Sequence, residues 1–347
     1  MIYKDLTQIH INRGFAVLII SIFLISCNGN KNHVDVSGIN VNLTVKRLDK
    51  DLFQIDSSNF NTQIAAIKGN YGDFFPFYCT QVSLFGYPNS SPRFKDSIFS
   101  FLHDHNIKEL HDTAESLYSD LSKQKSDIET GLKYLKYYFP KAKIPSALVT
   151  YIGGFSLGAF TYNDSVLAIG LDMYLGNKFQ LYQKVPDMPQ FMIRKFAPEY
   201  ITPNALRVTL TGQFGFKTDG KKLIDNMIYY GKIMYILNKL LPDLPDSVTT
   251  GYSQHQLDWC KYNEGEVWKF FIGNNLLFST NEQEYFNYVN DGPNTGGMPA
   301  DAPGNLGSWV GWKIVQKYMN RFPNTTLPQL IANSNAQEIL DGSHYKP

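Results

Sequence analysis

Long apolar runs are scarce in this 347-residue chain. The one strongly apolar run, residues 15–25, is about 11 residues long, short of the ~20 residues an α-helix needs to cross a bilayer. Cysteine is scarce too, with three in all, which excludes a disulfide framework. Cys79 and Cys260 read as buried thiols, and a single bridge between them stays open. No histidine stands between His111 and His255, so the middle of the chain lacks the commonest zinc ligand. Net charge is only +1 and the basic residues are spread along the chain, which leaves no electrostatic footprint for nucleic acid. Neither a phosphate-binding glycine spacing nor a G-x-S-x-G nucleophile elbow occurs. No cofactor is expected.

The apolar run itself points outward from the cytoplasm. It follows Lys4 and Arg13, ends in Leu24-Ile25-Ser26-Cys27, and gives way at once to polar Asn28-Gly29-Asn30-Lys31-Asn32. That is the layout of an export signal closed by a lipobox, with residues 1–26 removed and Cys27 acylated. Several acyl chains on one cysteine, at about 0.8 kcal/mol per buried methylene, hold a protein on its membrane. Asn28 rather than Asp after the cysteine favours the outer membrane in the familiar sorting rule. Residues 27–38 then read as lipidated Cys27 and a tether, and residues 39–347 as one globular domain with a helical part, 39–143, and a sheet-plus-helix part, 144–347.

Within that domain the hydrophobic period changes twice. Ile39, Val41, Leu43 and Val45 alternate with polar residues, as in a half-buried strand. Residues 60–140 carry helical spacing, broken by a turn at His103-Asp104-His105-Asn106 and stopped by Pro140. Three apolar segments over 147–171, with Asn163-Asp164 as turn chemistry, predict a small antiparallel sheet. Leu223 to Leu241 is the best helix. Gly231 in its middle costs about 1 kcal/mol against Ala, which implies a close crossing with another helix. Ser253 and Gln256 form a capping box for a helix that carries Leu257 to Phe271. The Gly- and Pro-rich stretch 290–308 is long enough to be a functional loop. The fold class is α+β, mainly helical.

Five stretches together carry a family resemblance. They are Lys222-Leu223-Ile224-Asp225-Asn226-Met227-Ile228-Tyr229-Tyr230-Gly231-Lys232, Gly251-Tyr252 through Glu264, Pro303-Gly304-Asn305-Leu306-Gly307-Ser308-Trp309-Val310-Gly311-Trp312, Ile169-Gly170-Leu171-Asp172-Met173-Tyr174-Leu175-Gly176, and the closing Ser343-His344-Tyr345-Lys346-Pro347. The chain resembles the GldB family of gliding-motility lipoproteins of Bacteroidetes over nearly its whole mature length. The resemblance implies a membrane-anchored role in the gliding machinery and its associated type IX secretion apparatus, with other envelope proteins as partners. It does not imply a mechanism.

A weaker resemblance, to zinc peptidases of the zincin type, lies in the order hairpin, helix, second helix with a glycine. There the first helix bears H-E-x-x-H and the second a further acid. Here Pro198-Glu199-Tyr200-Ile201-Thr202 keeps only Glu199, and Tyr230 precedes Gly231. No metal ligand set remains, so the reading is a peptidase-like layout used for binding. Its contacts are expected at Tyr229, Tyr230, Trp309 and Trp312 with the 290–308 loop, plain core packing being the competing role for both tryptophans. The alternative is an envelope hydrolase, of peptides or glycans, using Glu199 as general base with Asp258, Glu264 or Glu266 as a second acid.

Overall fold

Among the described residues the sheet starts with a short strand, where four of the alternating residues find a partner. In a computed structural model describing residues 33–89, 92–186, 188–216 and 222–347, strand β1 spans Thr44–Arg47 and pairs in parallel with β2, Ala147–Tyr151. Leu43, just before β1, is already buried. Behind β1, Arg47 Nη2 lies 2.6 Å from Oδ2 of buried Asp49, and Thr150 of β2 donates to Asp49 Oδ1 at 2.5 Å. The charge buried with Asp49 is thus paired and hydrogen-bonded, as such burial requires.

The sheet differs from the antiparallel one that the period of two suggested. β3 (Ala159–Tyr162) and β4 (Val166–Gly170) form the expected hairpin, with Asn163 and Asp164 at φ 48° and 55°. Two positive φ angles suit the right-handed twist of a tight hairpin, and Asn and Asp tolerate them. However, β4 lies between β2 and β3 and runs parallel to β2, giving a mixed sheet in the order β1-β2-β4-β3. Helices return the chain between β1 and β2, whereas β3 takes the edge one position beyond β2 and its hairpin brings β4 back into the gap, parallel to β2. Alternation within one strand carries no trace of its neighbour's direction.

Helices fill the rest. Those of eight residues or more are α1 Phe60–Tyr71, α2 Pro92–His103, α3 His105–Leu117, α4 Ser122–Tyr138, α5 Ile201–Gln213, α6 Leu223–Leu240, α7 Gln254–Tyr262, α8 Glu264–Gly273, α9 Glu282–Val289, α10 Leu306–Arg321 and α11 Ala336–Ser343. Asp104 accepts from Ile107 N and caps α3, so the turn expected at His103-Asp104-His105-Asn106 is a helix junction. Ser253 and Gln256 close the expected capping box of α7, but Asn263 ends that helix and α8 starts anew at Glu264. The mainly helical α+β class therefore holds.

One aromatic-rich cluster ties the first helices to the sheet: Phe74, Phe75, Tyr78 and Cys79 pack with Tyr151 and Ala168. Cys79 and Cys260 are both free and buried. Burial raises both thiols, Cys260 to about 12. Neither should react with iodoacetamide in the native protein, and both should react once urea unfolds it; alkylation of either before unfolding would contradict this burial.

The second half is organised by the crossing of α6 and α10. A Cβ at Gly231 would stand 2.3 Å from the carbonyl carbon of Gly311, and one at Gly311 would stand 1.8 Å from Met227 O. Two backbones touch here with no side chain between them, as the glycine in mid-helix implied. Val36–Pro347 forms one compact unit. The signal run, the lipobox and Cys27 lie outside the described residues.

Candidate functional site

Edge strand β3 and helices α5 and α6 leave a cleft of about 420 Å³. Its floor is Gly158 and Ala159 at the start of β3, with Met173 and Tyr174; α5 contributes Asn204, Arg207 and Val208, and α6 contributes Tyr230 and Met234. Asn290, Asp291, Asn305 and Ser308 close the far side. The 290–308 stretch reaches the cleft through both of its ends, and it is pinned. Thr295 donates to Pro303 O at 2.6 Å, and buried Tyr252 donates to Gly304 O at 2.7 Å.

The charges are held by the same segments. Lys195 Nζ lies 2.6 Å from Asp291 Oδ2, and Asn305 Nδ2 reaches Asp291 Oδ1 at 3.4 Å. Arg207 spends one N–H on Thr249 O at 2.8 Å. Arg194, behind Lys195, donates to Gln256 Oε1 at 2.7 Å and to Gly251 O. Gly251 stands at φ +72°, and a Cβ there would be 2.4 Å from Lys195 Cε, so glycine is what lets the lysine pass. Burial works against ionisation of Asp291, but Lys195, Asn305 and Arg207 together hold its carboxyl below the usual carboxylate range. Among the described residues one carboxylate thus faces Lys195 and Arg207, with Arg194 nearby, and their charges leave an excess of positive charge.

The sequence-derived candidates divide. Tyr230 lines the cleft, but its neighbour Tyr229 faces a different cavity on the other side of α6. Their rings touch at 5.3 Å between centroids, yet successive residues on a helix point about 100° apart. Trp309 and Trp312 are 2% and 3% exposed. They are packing residues of α10, which α6, α9 and α11 cover from several sides, and they present no contact surface.

Glu199 is exposed on the 3-10 turn Pro198–Tyr200, a turn before the cleft-facing part of α5, and of residues 198–202 only Tyr200 reaches the cleft. The acids suggested as its partners are engaged elsewhere. Asp258 accepts from Gln254, Glu264 from Tyr345, and Glu266 from Lys269. Among the described residues no three His, Cys, Asp or Glu side chains converge as a metal site would need. His103 Nδ1 sits at Phe99 O, and the His111 ring stacks on Phe53.

Lys195, Arg207, Asp291 and Asn305 escaped the sequence reading. They come from three separate stretches, and the local signs were the 290–308 loop, which carries Asp291 and Asn305, and the Gly251-Tyr252 pair that makes room for Lys195 and anchors Gly304.

A mixed four-stranded sheet covered by helices, with a basic, aromatic cleft between its antiparallel edge and two helices, defines an α+β protein with a candidate binding cleft. The chain belongs to the family described as gliding motility protein GldB, whose model matches residues 29–347. It is accordingly a gliding-motility-associated protein. Neither a curated protein nor a solved structure matches the chain. Among the described residues no helix is long and apolar enough to cross a membrane.

Proposed function

We propose that this protein is a lipoprotein held on the outer membrane through Cys27, serving the gliding and secretion machinery as a non-catalytic scaffold. Its cleft takes an acidic segment of another envelope protein. The observation that carries this reading is the charge imbalance of the cleft, where Lys195 and Arg207 face the single carboxylate of Asp291. A basic site with aromatic and methionine walls, Tyr200, Tyr230, Met192 and Met234, suits a peptide that brings carboxylates and apolar side chains together. Family membership supplies the setting. The peptidase-like layout belongs to the same proposal, since Tyr230 does stand in the cleft next to the glycine of the second helix.

The test is complementation of a deletion strain. Lys195→Glu sets two carboxylates against each other at the mouth of the cleft. It should abolish spreading on agar while the protein stays at wild-type level in the membrane fraction. Glu199→Gln should glide normally, and Cys27→Ala should leave the membrane fraction. Normal gliding of Lys195→Glu sinks the cleft as the docking site; loss of gliding in folded, anchored Glu199→Gln would favour the hydrolase instead.

A further inference from the structure

A second cavity lies on the opposite side of α6 from the cleft. Its volume is about 900 Å³, within the range of small-molecule sites. Phe139, Phe214, Ile228, Tyr229 and Ile331 give it apolar walls, and among the described residues the buried cation lining it is Lys232. That lysine is 5% exposed. Its Nζ donates to Asn333 O, which engages one of three N–H donors, and among the described residues it forms no ion pair. A buried ammonium without an anion is costly, and burial accordingly pulls Lys232 down to about 8.

Among the described residues the other charged groups lining the cavity are engaged or exposed. Asp225, two helical turns before Lys232 and so about 10 Å along the axis, caps the start of α6 by accepting from Lys222 N at 3.1 Å. Lys143 and Asp164 pair with each other at 2.7 Å on the rim, and Lys141 is exposed. Among the described residues the cavity therefore offers apolar walls and one unmatched positive charge. A ligand complementary to it has a single anionic head and an apolar body.

We propose that this cavity binds a single-chain fatty acid, its carboxylate on Lys232 and its chain between Phe139, Phe214 and Ile331. This site is separate from the cleft, so either proposal can fail alone.

The experiment is equilibrium dialysis of radiolabelled decanoate against the full-length chain in phospholipid nanodiscs, with empty discs subtracted. One equivalent should bind saturably. Lys232→Met should lower the affinity at least tenfold, and the neutral analogue decanamide should bind the wild type at least tenfold more weakly than decanoate. Raising the pH from 7 to 9.5 should weaken decanoate binding as the ammonium loses its proton, while decanoate stays ionised. If Lys232→Met fails to fold by circular dichroism, Ile331→Trp, which fills the cavity and leaves the lysine, decides by losing the ligand. Absence of saturable binding, or equal binding of decanamide, overturns the proposal. Displacement of decanoate by an apolar peptide with a free C-terminal carboxylate at lower concentration than by dodecanoate also overturns it, in favour of a peptide occupant.

Discussion

Gly311→Ala should unfold this protein on the order of 10 °C earlier than wild type, or leave it insoluble. The added methyl would stand 1.8 Å from Met227 O and 2.3 Å from Met227 C, both backbone atoms. A side chain can rotate out of a clash; a helix backbone cannot, so α6 and α10 must separate along their whole contact. Overpacking in a core costs about 1–3 kcal/mol where neighbours can yield. With backbone on both sides about 4 kcal/mol is expected, a large share of the ~5–15 kcal/mol that holds a typical domain.

Gly231→Ala should lose less. Its nearest backbone atom, Gly311 C, stands at 2.3 Å rather than 1.8 Å, while both variants regain about 1 kcal/mol of helix propensity. Gly69→Ala is the control. It lies in α1 with nothing within 4 Å of its Cβ and should be neutral or stabilising by up to about 1 kcal/mol. Urea unfolding of the three variants checks the order. A Gly311→Ala midpoint equal to wild type would mean that the two helices do not cross here.

Lys232→Met should have the opposite sign, making the protein more stable at pH 7. A lysine whose pKa falls from 10.5 in the unfolded chain to about 8 in the folded one opposes folding by about 3 kcal/mol. The hydrogen bond to Asn333 O offsets about 1 kcal/mol of that, so methionine should gain about 2 kcal/mol. The pH dependence follows from proton counting. Below pH 8 both states of the wild type hold the proton and the full cost is present. Between pH 8 and 10.5 the unfolded chain binds more protons than the folded one, so wild-type stability rises with pH and the gain from methionine shrinks. Unfolding of both proteins at pH 7 and pH 10 isolates Lys232, because every other group titrates alike in the two. A gain that stays constant with pH would show that the ammonium has an anionic partner.

Period and punctuation made much of the fold legible. The capping box at Ser253, the Asn163-Asp164 hairpin, the junction at Asp104 and the close crossing at Gly231 are local features, each set by a few adjacent residues. The mixed sheet was not legible, because parallel pairing depends on where helices return the chain from β1 to β2 and on β3 taking the edge so that its hairpin inserts β4 beside β2. Nor could a helical stripe show that Asn263 splits α7 from α8, since apolar spacing continues across the break.

The candidate site shows the same division more sharply. Adjacency in sequence made Tyr229 and Tyr230 look like one surface, and α6 turns them to opposite cavities. Trp309 and Trp312 have the size and chemistry of contact residues, and burial against neighbouring helices assigns them to packing.

The amino-acid sequence by itself determined the export run and lipobox pattern, the family, the mainly helical class and the need for a bare contact at Gly231, because each is written in residues close together or in composition. Only the tertiary structure decided that Lys195, Arg207, Asp291 and Asn305 share one cleft and that Lys232 is buried without an anion among the described residues. The charge on a side chain is fixed by its chemistry, but its cost and its use depend on which distant segments exclude water from it.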